Sequence, residues 1–313
     1  MRQCYLKDLH MKKQLRVVAF LREMDEVIPW NDLLNALKPY YKTGEGGRPP
    51  HSLERMLRIH FLQLWYNLSD PAMEEALYDR SSFQQFIGID GFTMPPPDET
   101  SICRFRHFLE ENKLAEVIFK TVNAYLEDKG LVLKSGTIVD ATLLDAPVSK
   151  QNEAKARDPE MSSTKKNNKW HFGAKGHIGI QANGKPIIHS LAFTTAKEAD
   201  INALDFLLHG EEQAVFADSG YSKRADKELA RGLDLYYGVN DRGARQYPLS
   251  PSQKKKNKRH SRLRAKVEHP FRVIKVLWNQ SKLRYKGLEK NASRFTSLCG
   301  LCNIYMCRKL LRV

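Results

Sequence analysis

The chain has 313 residues, 42% of them hydrophobic, and a formal net charge of +15. That apolar share supplies a packed core over one or two domains and excludes a disordered chain. The excess of Lys and Arg points to a polyanionic partner, nucleic acid ahead of an anionic membrane surface, because each phosphate neutralised releases condensed counterion.

No uninterrupted apolar run reaches the roughly 18 residues of a membrane span, and the stretch from Met1 to Lys13 is too polar for a signal peptide. Cys4, Cys103, Cys299, Cys302 and Cys307 are odd in number and scattered, which does not make a secreted disulfide framework. The expectation is a soluble, cytoplasmic protein with reduced thiols and no membrane partner.

Residues 1–130 read as helical. Ser52 caps a helix running to about Tyr66, preceded by a loop rich in Gly44, Gly46, Gly47, Pro49 and Pro50. Ser69, Asp70 and Pro71 start another, a short helix covers Ser82 to Ile87, and Pro95 to Pro97 close that unit. A stretch with Arg104, Arg106 and His107 leads into a helical run through Tyr125. Short helices bearing cations suggest a helix-turn-helix-like DNA-binding domain; a structural bundle or a dimerisation domain is the alternative.

After Gly130 strands take over. The apolar run from Thr137 to Asp145 reads as a buried strand with Asp140 at its centre, a charge that needs backbone amides, an arginine or a metal. Residues 149–169 are lysine-rich without periodicity and read as a mobile loop. From His171 to Ile180 alternation is strict, Asn183 and Gly184 make a hairpin turn, and Pro186 to Phe193 form the paired strand. A helix from about Glu198 or Asp200 to Leu208, a strand from Ala214 whose last residue is Asp218 with a turn at Ser219 and Gly220, a helix from Lys223 to Ala230 and a strand from Leu233 to Val239 follow.

Lys254 to His260 is a basic run without an apolar anchor, read as a loop in contact with DNA phosphates. From Ser261, Leu263, Val267, Phe271, Ile274 and Trp278 make a helical stripe. Glu268 lies beside it between Arg264, Arg272 and Lys275, and Pro270 must either kink this helix or mark its first turn.

Asp140, Asp218 and Glu268, brought together, would repel unless divalent cations lay between them. An oxygen-only donor set suits Mg2+ or Mn2+, and two such ions support in-line attack on a phosphodiester. Asp145 is the rival of Asp140, but its odd offset puts it on the opposite face of the strand.

The segments Ile138-Val139-Asp140-Ala141-Thr142, His171-Phe172-Gly173-Ala174-Lys175, Phe216-Ala217-Asp218-Ser219-Gly220-Tyr221 and Val267-Glu268-His269-Pro270-Phe271-Arg272-Val273-Ile274-Lys275 resemble DDE transposases of bacterial insertion sequences, particularly the insertion-sequence-five group. The resemblance implies an α/β fold: an RNase H-like catalytic domain with a mixed five-stranded sheet and flanking helices over residues 131–313, after an all-helical DNA-binding domain over residues 1–130. It implies Asp140, Asp218 and Glu268 as catalytic residues and ligands of two Mg2+ or Mn2+ ions, with Arg264, Lys275, Arg272 and Lys175 as DNA-binding or supporting cations. Double-stranded DNA, as transposon ends and target, is the implied partner, and a homodimer the implied synaptic form. The family signature around the glutamate has Tyr, two residues, Arg, three residues, Glu, six residues, Lys. Arg264, Glu268 and Lys275 match it, but Ser261 occupies the tyrosine position, which leaves second-strand processing open.

Cys299 and Cys302 have a zinc-compatible spacing, but they sit in an apolar helix and read as core thiols. His171 and His177 share a strand face and read as a surface pair near the site or touching DNA.

Overall fold

A computed structural model describes residues 15–41, 50–89, 95–150, 156–166, 168–222, 228, 230, 232, 234–244 and 246–312. The helical half comprises α1 (Arg16–Val27), α2 (Trp30–Leu37), α3 (Leu53–Tyr66), α4 (Asp70–Asp79), α5 (Ser81–Phe86), α6 (Glu99–Glu111) and α7 (Leu114–Asp128). Its caps follow the sequence: Ser52 Oγ accepts the Arg55 amide at 3.3 Å, and left-handed Asn67 ends α3. At α4 the cap is Ser69, which frees Asp70 to pair with Arg106 at 2.9 Å. Arg106, grouped above with cations available to DNA, is buried and also held by Glu110 at 3.0 Å; Arg104 stays exposed. The glycine-rich loop before α3 lies outside the described residues, apart from Pro50.

The second half is built on a mixed sheet of β1 (Thr137–Asp145), β2 (Ser162–Lys166), β3 (Lys169–Gln181), β4 (Ile188–Thr195), β5 (Ala214–Phe216) and β6 (Tyr236–Tyr237). Its path is β2-β3-β1-β5-β6, with β4 also on β3. β1 is antiparallel to β3 and parallel to β5, and β6 continues parallel to β5. Residues 162–166, read above within a mobile loop, form the edge strand β2 against the start of β3. A loop reading missed it because an edge strand of Ser, Thr and Lys buries almost nothing and shows no apolar alternation. The strand read from Ala214 stops at Phe216, since Asp218 instead caps a short turn at Ser219–Tyr221. The helix expected before Leu208 is a 3-10 turn, Asp200–Ala203, followed by α8 (Leu204–Leu207). Most of the helix expected over 223–230 falls outside the described residues.

Lys254 to His260 is not a loop. It lies in α9 (Pro251–Arg264), started by a full capping box between Ser250 and Gln253 with Pro251 in the first turn. A 3-10 turn at Ala265–Val267 leads into α10 (Glu268–Arg272) and a π turn at Val273–Leu277. Pro270 therefore stands in the first turn of α10, where its missing N–H costs no helical bond.

α11 (Leu288–Leu311) closes the structure, carrying buried Phe295, Leu298, Cys299, Leu301, Cys302 and Cys307. It packs between the helical half and one sheet face, so Leu57, Phe61, Ile118, Ile138, Ile178 and Phe295 belong to a single apolar cluster. Gly176 makes this approach possible, because a Cβ there would lie 2.5 Å from the Phe295 ring. The opposite sheet face packs Val139, Ala217 and Tyr221 against Leu204 and Leu207. Alternation along β1 thus divides the sheet into two buried sides, with Asp140 on the α11 side.

Candidate active site

Two strands deliver the first pair of carboxylates. Thr137 pairs with Val215 and Ile138 with Phe216. The same parallel register, carried two residues further, sets Asp140 beside Asp218 where β5 has just ended, at the carboxyl edge where open α/β sheets hold their functional groups. Asp140 Oδ1 accepts the amide of Ala141 at 2.8 Å, and Asp218 Oδ1 accepts that of Gly220 at 2.7 Å. One oxygen of each carboxylate is thereby fixed by backbone.

The helix supplies the rest. Arg264, in the last turn of α9, brings its guanidinium to 3.7 Å from Asp140 Oδ2, both side chains being largely buried. Glu268 opens α10 one turn later and is exposed. Burial pushes the Asp140 carboxyl up to about 6; the Ala141 amide and Arg264 oppose this, and the charges of Asp218 and Glu268 add to it. Asp140 therefore feels both other acids.

Lys275 reaches back from the π turn to β1, its Nζ donating to Thr142 Oγ1 at 3.1 Å and to Leu143 O at 2.8 Å. Burial lowers its affinity for a proton, while Asp145 and Glu268 support the charged form and Lys166 opposes it. Arg272 is exposed on the same helical segment. Lys175 is not brought to these groups: it pairs with Leu143, on the sheet face opposite Asp140, and its Nζ is held by Asp200 at 2.8 Å and by Glu198 O at 2.7 Å.

The histidines are not a surface pair. His177 is fully buried, bonded to Thr194 Oγ1 at 2.8 Å, and burial lowers it to about 4. His171 joins Asp145 at 2.9 Å near the end of β1. Asp145 is thereby engaged as a strand-end residue.

α9 is docked by His260, whose ring meets Phe216 at 5.8 Å and whose Nε2 lies 2.9 Å from the Tyr236 hydroxyl. That leaves Lys254, Lys255, Lys258, Arg259 and Arg262 exposed along its outer side. Ser261 is also exposed, with its Oγ accepting from Asn240 Nδ2 at 3.4 Å.

Residues 132–304 match the model of the family described as Transposase DDE domain, and residues 8–108 match that described as Transposase domain (DUF772). The chain belongs to the DDE transposase family. The DDE match takes in Asp140, Asp218 and Glu268, and runs from just before β1 into α11. The other match takes in α1 to α5 and most of α6. Among the described residues no helix is long and apolar enough to cross a membrane.

Two groups near the acids had no individual signal in the sequence. Tyr221 is fully buried, its hydroxyl lacks a hydrogen-bond partner among the described residues, and it feels Asp140 and Asp218. Thr142 is drawn in only by Lys275. Carboxylate oxygens are donors that suit a hard divalent cation. Among the described residues, however, no group of three His, Cys, Asp or Glu side chains gathers closely enough to hold an ion unaided. The donor chemistry fits such an ion; Asp140 and Asp218 are fixed by backbone, and Glu268 alone is on an exposed helix start.

Proposed function

We propose that the chain is a DNA transposase of a bacterial insertion sequence of the insertion-sequence-five group. It binds the terminal inverted repeats of its element, cleaves phosphodiester bonds and joins the freed 3′ ends to target DNA. The observation that carries this reading is the adjacency of Asp140 and Asp218 across the β1–β5 register, with Glu268 acting on Asp140, in a chain matched by two transposase families.

In this reading residues 131–313 are an RNase H-like catalytic domain, and the helices of residues 1–130 bind DNA. Asp140, Asp218 and Glu268 hold two Mg2+ or Mn2+ ions, which when bound polarise the scissile phosphate and activate the attacking oxygen. Arg264 holds Asp140 ionised in a site that burial and two like charges would otherwise protonate. Lys275 ties the π turn that follows α10 to β1, so that Glu268 is presented at the right depth. Arg272 and the outer lysines of α9 hold DNA phosphates, and Lys175 supports the sheet from its far side. Two ends are processed together by a homodimer on the bacterial nucleoid.

The test is a gel assay on DNA carrying the element's end and flank, with Mg2+ present. Wild type should cleave the end and insert a pre-cleaved end into a target plasmid. Asp140→Ala should abolish cleavage while leaving end binding within a few-fold of wild type; cleavage by that variant would refute the assignment. Cleavage without insertion would instead identify an RNase H-like metal-dependent nuclease without strand transfer.

A further inference from the structure

The β2–β3 ribbon extends past the last β1 pairing, Asp145 with Gly173, so beyond Phe172, whose carbonyl accepts the Ala146 amide at 2.7 Å, residues 169–171 pair only with β2. Its outer part carries Lys165 opposite Trp170 and Lys166 opposite Lys169. Like charges directly across an antiparallel pair are destabilising, and among the described residues no carboxylate pairs with these lysines. Trp170 is 73% exposed, although Trp65 and Trp278 are buried at 3% and 2%. A tryptophan left in water on a short edge ribbon adds nothing to the core and is an aggregation liability unless something covers it.

Register says what it faces. Ile178 pairs with Asp140, and even offsets along β3 put Trp170 on the same sheet face as Asp140. From Ile178 to Trp170 is roughly 26 Å along the strand, or about seven to eight base pairs of duplex.

We propose that the β2–β3 ribbon is a DNA-gripping arm, seated in a groove of the duplex held at the carboxylates, with Lys165, Lys166 and Lys169 on phosphates and Trp170 packed against base or sugar. A two-stranded ribbon has the width to enter the major groove, and aromatic side chains wedge or stack where the backbone is held by cations. The charge selects the occupant: Lys165 shares the face of Trp170, Lys166 and Lys169 lie on the ribbon's other face, and none of the three has a carboxylate partner among the described residues, so both sides of the ribbon favour a polyanion over an apolar protein surface. This inference rests on the transposase reading and adds a contact remote from the chemistry.

The experiment measures binding of the full chain to duplex DNA carrying the element's end, without divalent ions, together with hydroxyl-radical footprinting. Trp170→Ala should weaken binding roughly tenfold, as loss of an aromatic–base contact does, and Trp170→Phe should restore most of it. Protection about seven to eight base pairs from the cleaved phosphate should disappear in Trp170→Ala alone. Tryptophan fluorescence should fall on DNA addition in wild type and much less in Trp170→Phe. Lys169→Glu separates ribbon integrity from DNA contact: it removes the like-charge pair, so it should keep or raise the melting temperature while weakening binding. Wild-type affinity and footprint in Trp170→Ala, with cleavage intact in the parent, would overturn the arm and spare the transposase reading. A changed oligomeric state without changed affinity would show that Trp170 covers a second copy instead, and overturn it equally. A parent that neither binds nor cuts DNA would overturn both.

Discussion

Asp140 and Asp218 stand side by side at the carboxyl ends of two parallel strands, each with one oxygen tied to a backbone amide. The arrangement fixes both acids before any substrate arrives, and it does so at a cost to the folded state. Burial and two like charges hold the Asp140 carboxyl at about 6 against an ordinary 3.8.

Because the folded value is raised, the folded protein binds this proton more tightly than the unfolded chain. The associated stabilisation is complete below about pH 4 and is lost as pH rises through about 6. At about pH 7.5 without divalent ions, Asp140→Asn should therefore be more stable than wild type, by an upper limit of about 3 kcal/mol, although inactive. The gap should close below about pH 4. Denaturant unfolding at both pH values measures this; a variant less stable than wild type at the higher pH would remove the electrostatic account of the site.

Arg264 opposes that rise from 3.7 Å. Replacing it by glutamine removes the cation and keeps hydrogen-bonding capacity, so the Asp140 carboxyl should climb further. The acid limb of the cleavage pH profile should then move about one unit towards alkaline pH. An unmoved limb with a uniformly reduced rate would mean that Arg264 serves the DNA and not Asp140.

The strands that carry Asp140 and Asp218 were legible because an apolar run is a local signal, and the odd offset of Asp145 from Asp140 was enough to set the two on opposite faces. The helical segment that carries Arg264, Glu268 and Lys275 was legible from its apolar stripe. What a one-dimensional reading lost were elements without apolar periodicity. α9 has almost no buried side chain except His260, so its hydrophobic pattern is flat, yet Ser250, Pro251 and Gln253 spell a capping box that announces it. β2 is likewise polar throughout, and only its pairing with β3 defines it. The place of Lys175 was not legible, because proximity in a motif says nothing of the sheet face, which the β1–β3 register decides. His177 looked available for the same reason, and its burial depends on packing of β4 that no local pattern records.

Lys275 makes a prediction that separates fold from chemistry. Its two bonds to Thr142 and Leu143 tie the π turn to β1. Lys275→Met should cost about 1–3 kcal/mol of stability, since the Leu143 carbonyl loses a charged donor, and should lower the cleavage rate more than DNA affinity. Thr142→Val removes one acceptor only and should produce a smaller loss of both. If Lys275→Met instead left stability unchanged and weakened DNA binding alone, the residue would be a phosphate ligand and not a tie.

The outer side of α9 yields the last expectation, which turns on a contrast within one helix. Lys254, Lys255 and Lys258 are exposed, whereas Lys256 is partly buried and tied to Asp241 at 3.4 Å. A lysine on a phosphate contributes about 0.9 to the slope of log affinity against log salt. Lys254→Gln, Lys255→Gln and Lys258→Gln should each flatten that slope for end DNA by up to about 0.9, uniformly across DNA sequences. Lys256→Gln should leave the slope almost unaltered and should cost a little stability instead. Equal slopes in all four variants would mean that α9 faces solvent in the complex, and that the phosphates are held elsewhere on the catalytic face.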